Sequence, residues 1–304
     1  MSVISSLGEV SGVPVIDRGL CSRCGDCAEA CPTGVLRAGP DGNIRIDSTA
    51  SFGCIACAHC MMACPTDAIR VNGRGLRPDD LAELPHPETR ATPEQIEALF
   101  LSRRSIRRFQ DTPVSAELLD RVIAAAAMAP MGIPPWEVGV VALNGRERVR
   151  ELARDTAELY AAILKFVDHP VVLALLRPFL KRATYRQLRS FILPLGRDIV
   201  AANKRGEDKV LYDAPGALLF YTSPYADAAD AVIACTYAMI AAEALGLGSC
   251  MIGCVAPPLA RNRKLCAKHG IPAGHKPALV LILGHPAVSY QRAVRRRFSP
   301  AAKT

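Results

Sequence analysis

Eight cysteines in two matching runs constrain this chain more than any other feature of its sequence. Cys21, Cys24, Cys27 and Cys31, followed by Pro32, read C-x-x-C-x-x-C-x-x-x-C-P, and Cys54, Cys57, Cys60 and Cys64, followed by Pro65, repeat that spacing. The first residues carry no Lys or Arg before Arg18, and their weak apolar run is broken by Gly8, Glu9 and Gly12, so a secretory leader is not expected. Reduced thiols and a cytoplasmic location follow, and with them metal ligation instead of disulfides. Three closely spaced thiolates and a more distant fourth suit a four-iron, four-sulfur cluster, with the fourth Cys of each run reaching over to the other cluster. Cys21, Cys24, Cys27 and Cys64 are therefore expected to hold one cluster, and Cys54, Cys57, Cys60 and Cys31 the other. A pair of zinc sites is the competing reading, but zinc motifs present separated C-x-x-C pairs and not triple runs closed by Cys-Pro.

The halves also repeat outside the cysteines: Cys-Pro-Thr-Gly-Val-Leu-Arg at 31–37 is answered by Cys-Pro-Thr-Asp-Ala-Ile-Arg at 64–70. This internal symmetry resembles that of bacterial-type two-cluster ferredoxins, over residues 14–73. Cys235, Cys250, Cys254 and Cys266 share no ligand spacing and sit among apolar residues, so they read as small buried hydrophobes. His59, inside the second run, reads as a modifier of the cluster environment or a bystander.

From Asn72 to Pro93 the chain turns rich in Gly, Pro and charge, the composition of a connector, here placed at residues 74–91. A second domain is expected over 92–304. Thr92-Pro93-Glu94-Gln95 forms a capping box with Pro at the first helical position. Patterning then predicts a helix over Ser115–Ala129, strands over Val138–Leu143, Ala217–Thr222 and Ala278–Leu283, and helices over Asp227–Leu245 and Pro258–His269. Few strands among many helices imply an α+β domain with a helix-covered sheet. Residues 145–209 form a long helical, basic stretch that looks inserted between strands, suited to a lid or an oligomer surface.

The net charge of +8 does not point to nucleic acid, because the basic residues are scattered and no aromatic stacking platform is interleaved with them. A phosphate-bearing cofactor and an acidic redox partner fit better. The longest apolar stretch, Ala231–Ala242, is far short of the roughly 20 residues a bilayer span needs.

Arg103-Arg104-Ser105-Ile106-Arg107-Arg108-Phe109, followed by Pro113-Val114, resembles the opening motif of the nitroreductase family of flavin enzymes. Further matches follow in the family's order: Ala129-Pro130 running to Pro135-Trp136, Asp213-Ala214-Pro215, Ala242 to Cys250 with Ile252-Gly253, and Leu283-Gly284-His285-Pro286 before a basic tail. The resemblance covers residues 92–300 and implies a nitroreductase-like mixed sheet, an FMN cofactor and a homodimer with FMN between subunits. Arg103, Arg104, Ser105 and Arg107 supply donors suited to a flavin phosphate and the ring's pyrimidine edge. The resemblance adds Arg295 to the phosphate site and backbone groups of Met251, Ile252 and Gly253 beside the ring. One departure stands out: where family members carry an Asn and a Gln, this chain reads Met131-Gly132-Ile133-Pro134 and is shorter. Trp136 is read equally as core or as ligand-facing.

A cluster passes one electron at a time, whereas a flavin takes electrons singly and delivers a hydride equivalent. The expected activity is an iron-sulfur flavoprotein oxidoreductase that draws on a ferredoxin or similar low-potential donor. Its acceptor would be an electron-poor small molecule such as a nitro compound, quinone or enone. The alternatives are NAD(P)H oxidation with export through the clusters, and a relay without a substrate of its own.

Overall fold

The computed structural model describes residues 11–50, 53–132 and 137–297. Trp136 and the Ile133-Pro134 pair lie outside them. Contacts divide the chain into two compact units: Met1–Arg90 with the short segments Met131–Glu137 and Tyr225–Asp227, and a second of Ala91–Pro130, Val138–Pro224 and Ala228–Thr304.

In the first unit, the sequence repeat becomes a structural one. Strand β1 (Val13–Ile16) and helix α1 (Asp26–Glu29) precede the β2 (Leu36–Ala38) and β3 (Ile44–Ile46) hairpin; helix α2 (His59–Ala63) and strand β4 (Ile69–Asn72) complete the unit. β1 pairs antiparallel with β4, and β2 with β3. Left-handed backbone recurs at equivalent places: Arg23 and Ala56 (φ 64° and 55°), Gly25 and Ala58 (91° and 63°), Gly34 and Asp67 (67° and 52°). Such φ values are uncommon outside Gly, so the second half holds its shape against a steric cost at Ala56, Ala58 and Asp67. What holds it is a shared core of Leu36, Ile44, Met61, Ile69 and Val71 with the thiols of Cys27 and Cys60.

The second unit opens with α3 (Pro93–Ser102), where the Thr92 hydroxyl accepts from the Gln95 N–H and the Gln95 side chain accepts from the Thr92 N–H. Helix α4 (Ala116–Ala127) starts at the Ser115 cap. Strand β5 (Val138–Asn144) leads into α5 (Arg146–Val167), α6 (Pro170–Leu176), α7 (Arg182–Gln187), a π turn (Leu188–Ile192) and α8 (Leu193–Lys204). Strand β6 (Gly216–Thr222), helix α9 (Ala228–Ala244), strand β7 (Gly248–Ile252), the short helices α10 (Ala256–Leu259) and α11 (Arg263–Lys268), and strand β8 (Lys276–Gly284) follow. The sheet runs β5-β6-β8-β7 with antiparallel pairing. A parallel bridge from Ser105 to Ser249 makes it mixed.

The long stretch between β5 and β6 is helical, as expected. Val149, Leu152, Ala153, Thr156 and Ala157 of α5 are buried at helical spacing and pack into the main core with Ile199 of α8. Among the described side chains from Glu158 to Ile192 none is buried, although Leu159 and Tyr160 still pack against that core. The helix expected over Pro258–His269 is two helices, because Asn262 stops the first and its side chain accepts from the Leu265 N–H to cap the second.

Candidate functional site

The cluster-binding thiols sit on the turns that the repeat generates, and their mutual influence follows the crossed grouping. Cys21, Cys24, Cys27 and Cys64 line one small cavity together with Ile16 and Ile44. Burial pushes the Cys27 thiol up, and the charges of Cys64, Cys24 and Cys21 push it further. In the other half, burial and then Cys54, Cys57 and Cys31 drive Cys60 up to about 12. Such thiols stay protonated unless a cation compensates, which is what iron supplies. Cys31 and Cys64 behave differently. Burial opposes ionisation at both, but backbone N–H groups of Leu36, Thr33 and Val35 with the Thr33 hydroxyl bring Cys31 below its ordinary value. Thr66, Ala68 and Ile69 do the same at Cys64, and the Ala68 N–H donates to Cys64 Sγ at 3.2 Å.

Four thiols in each set suit a four-iron cage, in which each iron takes one thiolate. His59 is exposed at the start of α2.

In the second unit, the arginine motif lies along the edge of the sheet. The Ile106 N–H donates to the Ser249 carbonyl at 2.9 Å, and the Gln110 N–H to the His285 carbonyl at 2.9 Å. Phe109 bridges to Pro286. Ile106 is buried over Gly248, where an added Cβ would lie 2.7–2.8 Å from its side-chain carbons. Only Gly allows this approach. Ser105 is thereby placed opposite Ser249; Met251 and Ile252 end the same strand, and Gly253 follows it, exposed.

Arg103, Arg104, Arg295 and Arg296 line one cleft of about 670 Å³, with Glu94, Glu97, Phe100 and Leu101 on its α3 side. Among the described residues none of these four guanidinium groups forms an ion pair within 4 Å, although Arg104 donates to the Arg103 carbonyl at 2.7 Å. Such a donor set fits a phosphate group. Arg107 is not in that cleft. Its guanidinium stands over the Tyr212 ring, 5.6 Å from the centroid.

Beneath the site, Asp213 belongs to a motif seen in the sequence, but Asp208, Tyr212 and Arg146 gave no signal there. Tyr212 and Asp213 adopt left-handed backbone (φ 56° and 50°), held by the Asp208 carboxylate, which accepts from the N–H groups of Val210, Leu211 and Asp213. Arg146 donates to the Asp213 and Gln110 carbonyls, both at 2.6 Å, locking this turn to the arginine motif. Only the contact with Asp213-Ala214-Pro215 marks Asp208 as important, and that contact spans no recognisable spacing. Of the remaining cysteines, Cys235, Cys250 and Cys266 are buried as expected; Cys254 is half-buried.

Residues 100–285 match the model of the Nitroreductase family. The chain belongs to that family. Residues 20–69 match the 4Fe-4S dicluster domain, so a nitroreductase domain and a cluster domain share one chain. Among curated proteins, this nitroreductase is similar to FMN reductase [NAD(P)H] of Bacillus subtilis (strain 168), at 29% identity over 186 residues, covering 60% of this chain and 63% of that protein. Among solved structures, it resembles a nitroreductase with bound FMN from Bacteroides fragilis NCTC 9343, at 19% identity and a TM-score of 0.46 over 69% of this chain and 96% of that one. An FMN-dependent nitroreductase from Clostridium difficile R20291 gives 19% identity and a TM-score of 0.49, over 69% and 99% of the two chains.

Proposed function

We propose that this nitroreductase-family oxidoreductase binds FMN and two four-iron clusters, takes single electrons from a ferredoxin or similar low-potential donor, and reduces an electron-poor small molecule. The observation that carries the reading is the presence of eight N-terminal cysteines of a 4Fe-4S dicluster domain in the same chain as a flavin-family domain. When bound, the clusters supply one-electron steps and FMN joins these to hydride-equivalent chemistry. A donor and acceptor that both exchanged hydride would leave the thiol sets without a task.

The chain's own residues have separable roles in this proposal. Arg103, Arg104 and Arg295 hold the FMN phosphate in their shared cleft. The backbone at Met251, Ile252 and Gly253 would line the place of the ring, where exposed Gly253 contributes no side chain. Ser105 meets the pyrimidine edge from its place opposite Ser249. Helices α3 and α9 expose Ile96, Phe100, Leu101, Val232, Ile233 and Tyr237, an apolar face suited to the second copy of a homodimer. Cytoplasmic residence belongs to the same proposal. No single helix among the described residues is long and apolar enough to cross a membrane.

Similarity to the Bacillus subtilis FMN reductase [NAD(P)H] favours a second reading, in which NAD(P)H reduces FMN and electrons leave through the clusters. Anaerobic stopped-flow reduction of the intact protein separates the two. Flavin bleaching by reduced ferredoxin but not by NAD(P)H supports import, and bleaching by NAD(P)H supports export. In the full-length Cys24→Ser/Cys57→Ser chain, ferredoxin-driven turnover should disappear while chemically reduced FMN still reduces the acceptor. Full ferredoxin-driven turnover in that chain would take the clusters off the route.

A further inference from the structure

The two halves of the cluster unit differ at several charged positions, and at one of them the charge is reversed. Ten residues after Cys31 stands Asp41, and ten residues after Cys64 stands Arg74; each is followed by a Gly in left-handed backbone, Gly42 (φ 73°) and Gly75 (φ 82°). Equivalent places in the two halves thus carry opposite charges. Their surroundings differ as well. Asp41 is exposed and bonded to neighbours within its own loop, accepting from the Asn43 side chain at 2.7 Å and from Arg45 at 3.3 Å. Arg74 is buried, its side chain only 5% exposed, and pairs with Glu137 at 3.3 Å, itself 19% exposed.

Arg74 stands two residues past the end of β4, next to Gly73, which borders a backbone neighbour of Cys54. Gly73 abuts Gly12, whose N–H donates to the Cys54 carbonyl at 2.7 Å and whose added Cβ would lie 2.9 Å from Cys54 Sγ. Burying a guanidinium costs free energy that a buried partner only partly returns, so stability is a poor reason for this pair. Its charge has a use beside a cluster. Reduction adds one electron and no compensating charge to the cage, so a nearby cation favours the reduced state and a nearby carboxylate opposes it.

We propose that the Arg74–Glu137 pair, with its arginine side chain buried, is a positioning element that sets the reduction potential of one cluster alone, the one held by Cys54, Cys57, Cys60 and Cys31. The pair makes a duplicated module electrically unequal. Arg74 raises the affinity of that cluster for its electron, and Glu137, which stands in the sequence immediately before β5, limits how far. Asp41, screened by solvent and its own partners, leaves the other cluster close to its intrinsic value. The inference rests on the two-cluster assignment.

The test is a redox titration of the full-length, cluster-loaded protein followed by paramagnetic resonance, after iron analysis has shown about eight irons per chain. The step belonging to the Arg74 side is the one missing from the Cys57→Ser chain. In Arg74→Gln that step should move to lower potential by at least a tenfold change in its one-electron equilibrium, about 59 mV, while the other step stays in place. Arg74→Lys should restore most of the shift. Glu137→Gln should move the same step upward, and Asp41→Asn should move neither. An unmoved step in Arg74→Gln with all irons retained, or an equal shift of both steps, overturns the proposal. If Arg74→Gln loses iron, Glu137→Gln and Arg74→Lys decide, and an unmoved step in Glu137→Gln overturns it equally. An iron count near four, or zinc, would instead overturn the cluster assignment.

Discussion

Gly248 shows how much a single absent methyl group controls here. With Ile106 carbons 2.7–2.8 Å from where a Cβ would stand, Gly248→Ala must displace the arginine motif from the sheet edge. Overpacking of this kind typically costs about 1–3 kcal/mol. The expected outcome is a lower unfolding midpoint together with loss of FMN during gel filtration. Charge at the neighbouring cleft makes a separate prediction. Arg104→Ala should weaken FMN binding by roughly tenfold to a hundredfold, the equivalent of about 1.5–3 kcal/mol for a charge-assisted bond, measured by fluorescence titration. Arg107→Ala should change it less, since Arg107 stands over Tyr212. The residue types of this site were legible because Arg-Arg-Ser-Ile-Arg-Arg announces its donors in one unbroken run. Which arginines share a cleft was not, because Arg295 and Arg296 reach it from far along the chain.

At the scale of elements, capping chemistry read well and long-range pairing did not. The helix start at Thr92 and the helix at Ser115 need only neighbours three residues away, and both caps form. Strand β7 escaped notice because Gly248, Ser249 and Cys250 lack the β-branched pattern of a strand; its pairing with β8 imposes the extended form. The turn at 208–213 is a similar case. Its two left-handed residues persist because the Asp208 carboxylate satisfies three N–H groups at once. Asp208→Ala should lower stability by about 1.5–3 kcal/mol, seen as a reduced urea midpoint, whereas Asp198→Ala, an exposed partner of Lys209, should cost less than about 1 kcal/mol.

For the molecule as a whole, the cysteine spacing alone disclosed one unit and the ordered motifs the other. Crossed ligation makes its own prediction: Cys31→Ser should abolish the cluster of Cys54, Cys57 and Cys60, and paramagnetic resonance that shows loss of the Cys21 cluster instead would contradict it. The region beyond Glu158 differs from both units in having no buried side chain among those described as far as Ile192. With Arg177, Lys181, Arg182, Arg186 and Arg189 exposed there, brief trypsin treatment should cut first within 177–189, since local opening is least costly where burial is least. What the sequence concealed was the allocation of Glu137 and Tyr225–Asp227 to the cluster unit, because nothing in their own composition marks them as belonging there. That allocation has a consequence in time. A ribosome that has released Arg90 must still add 137 residues before Asp227 exists, 227 less 90, and at about 5–20 residues per second this takes roughly 7–27 s. Throughout that interval the nascent cysteine runs are already exposed to the machinery that delivers iron and sulfide, while the unit that will enclose them is still missing its last pieces.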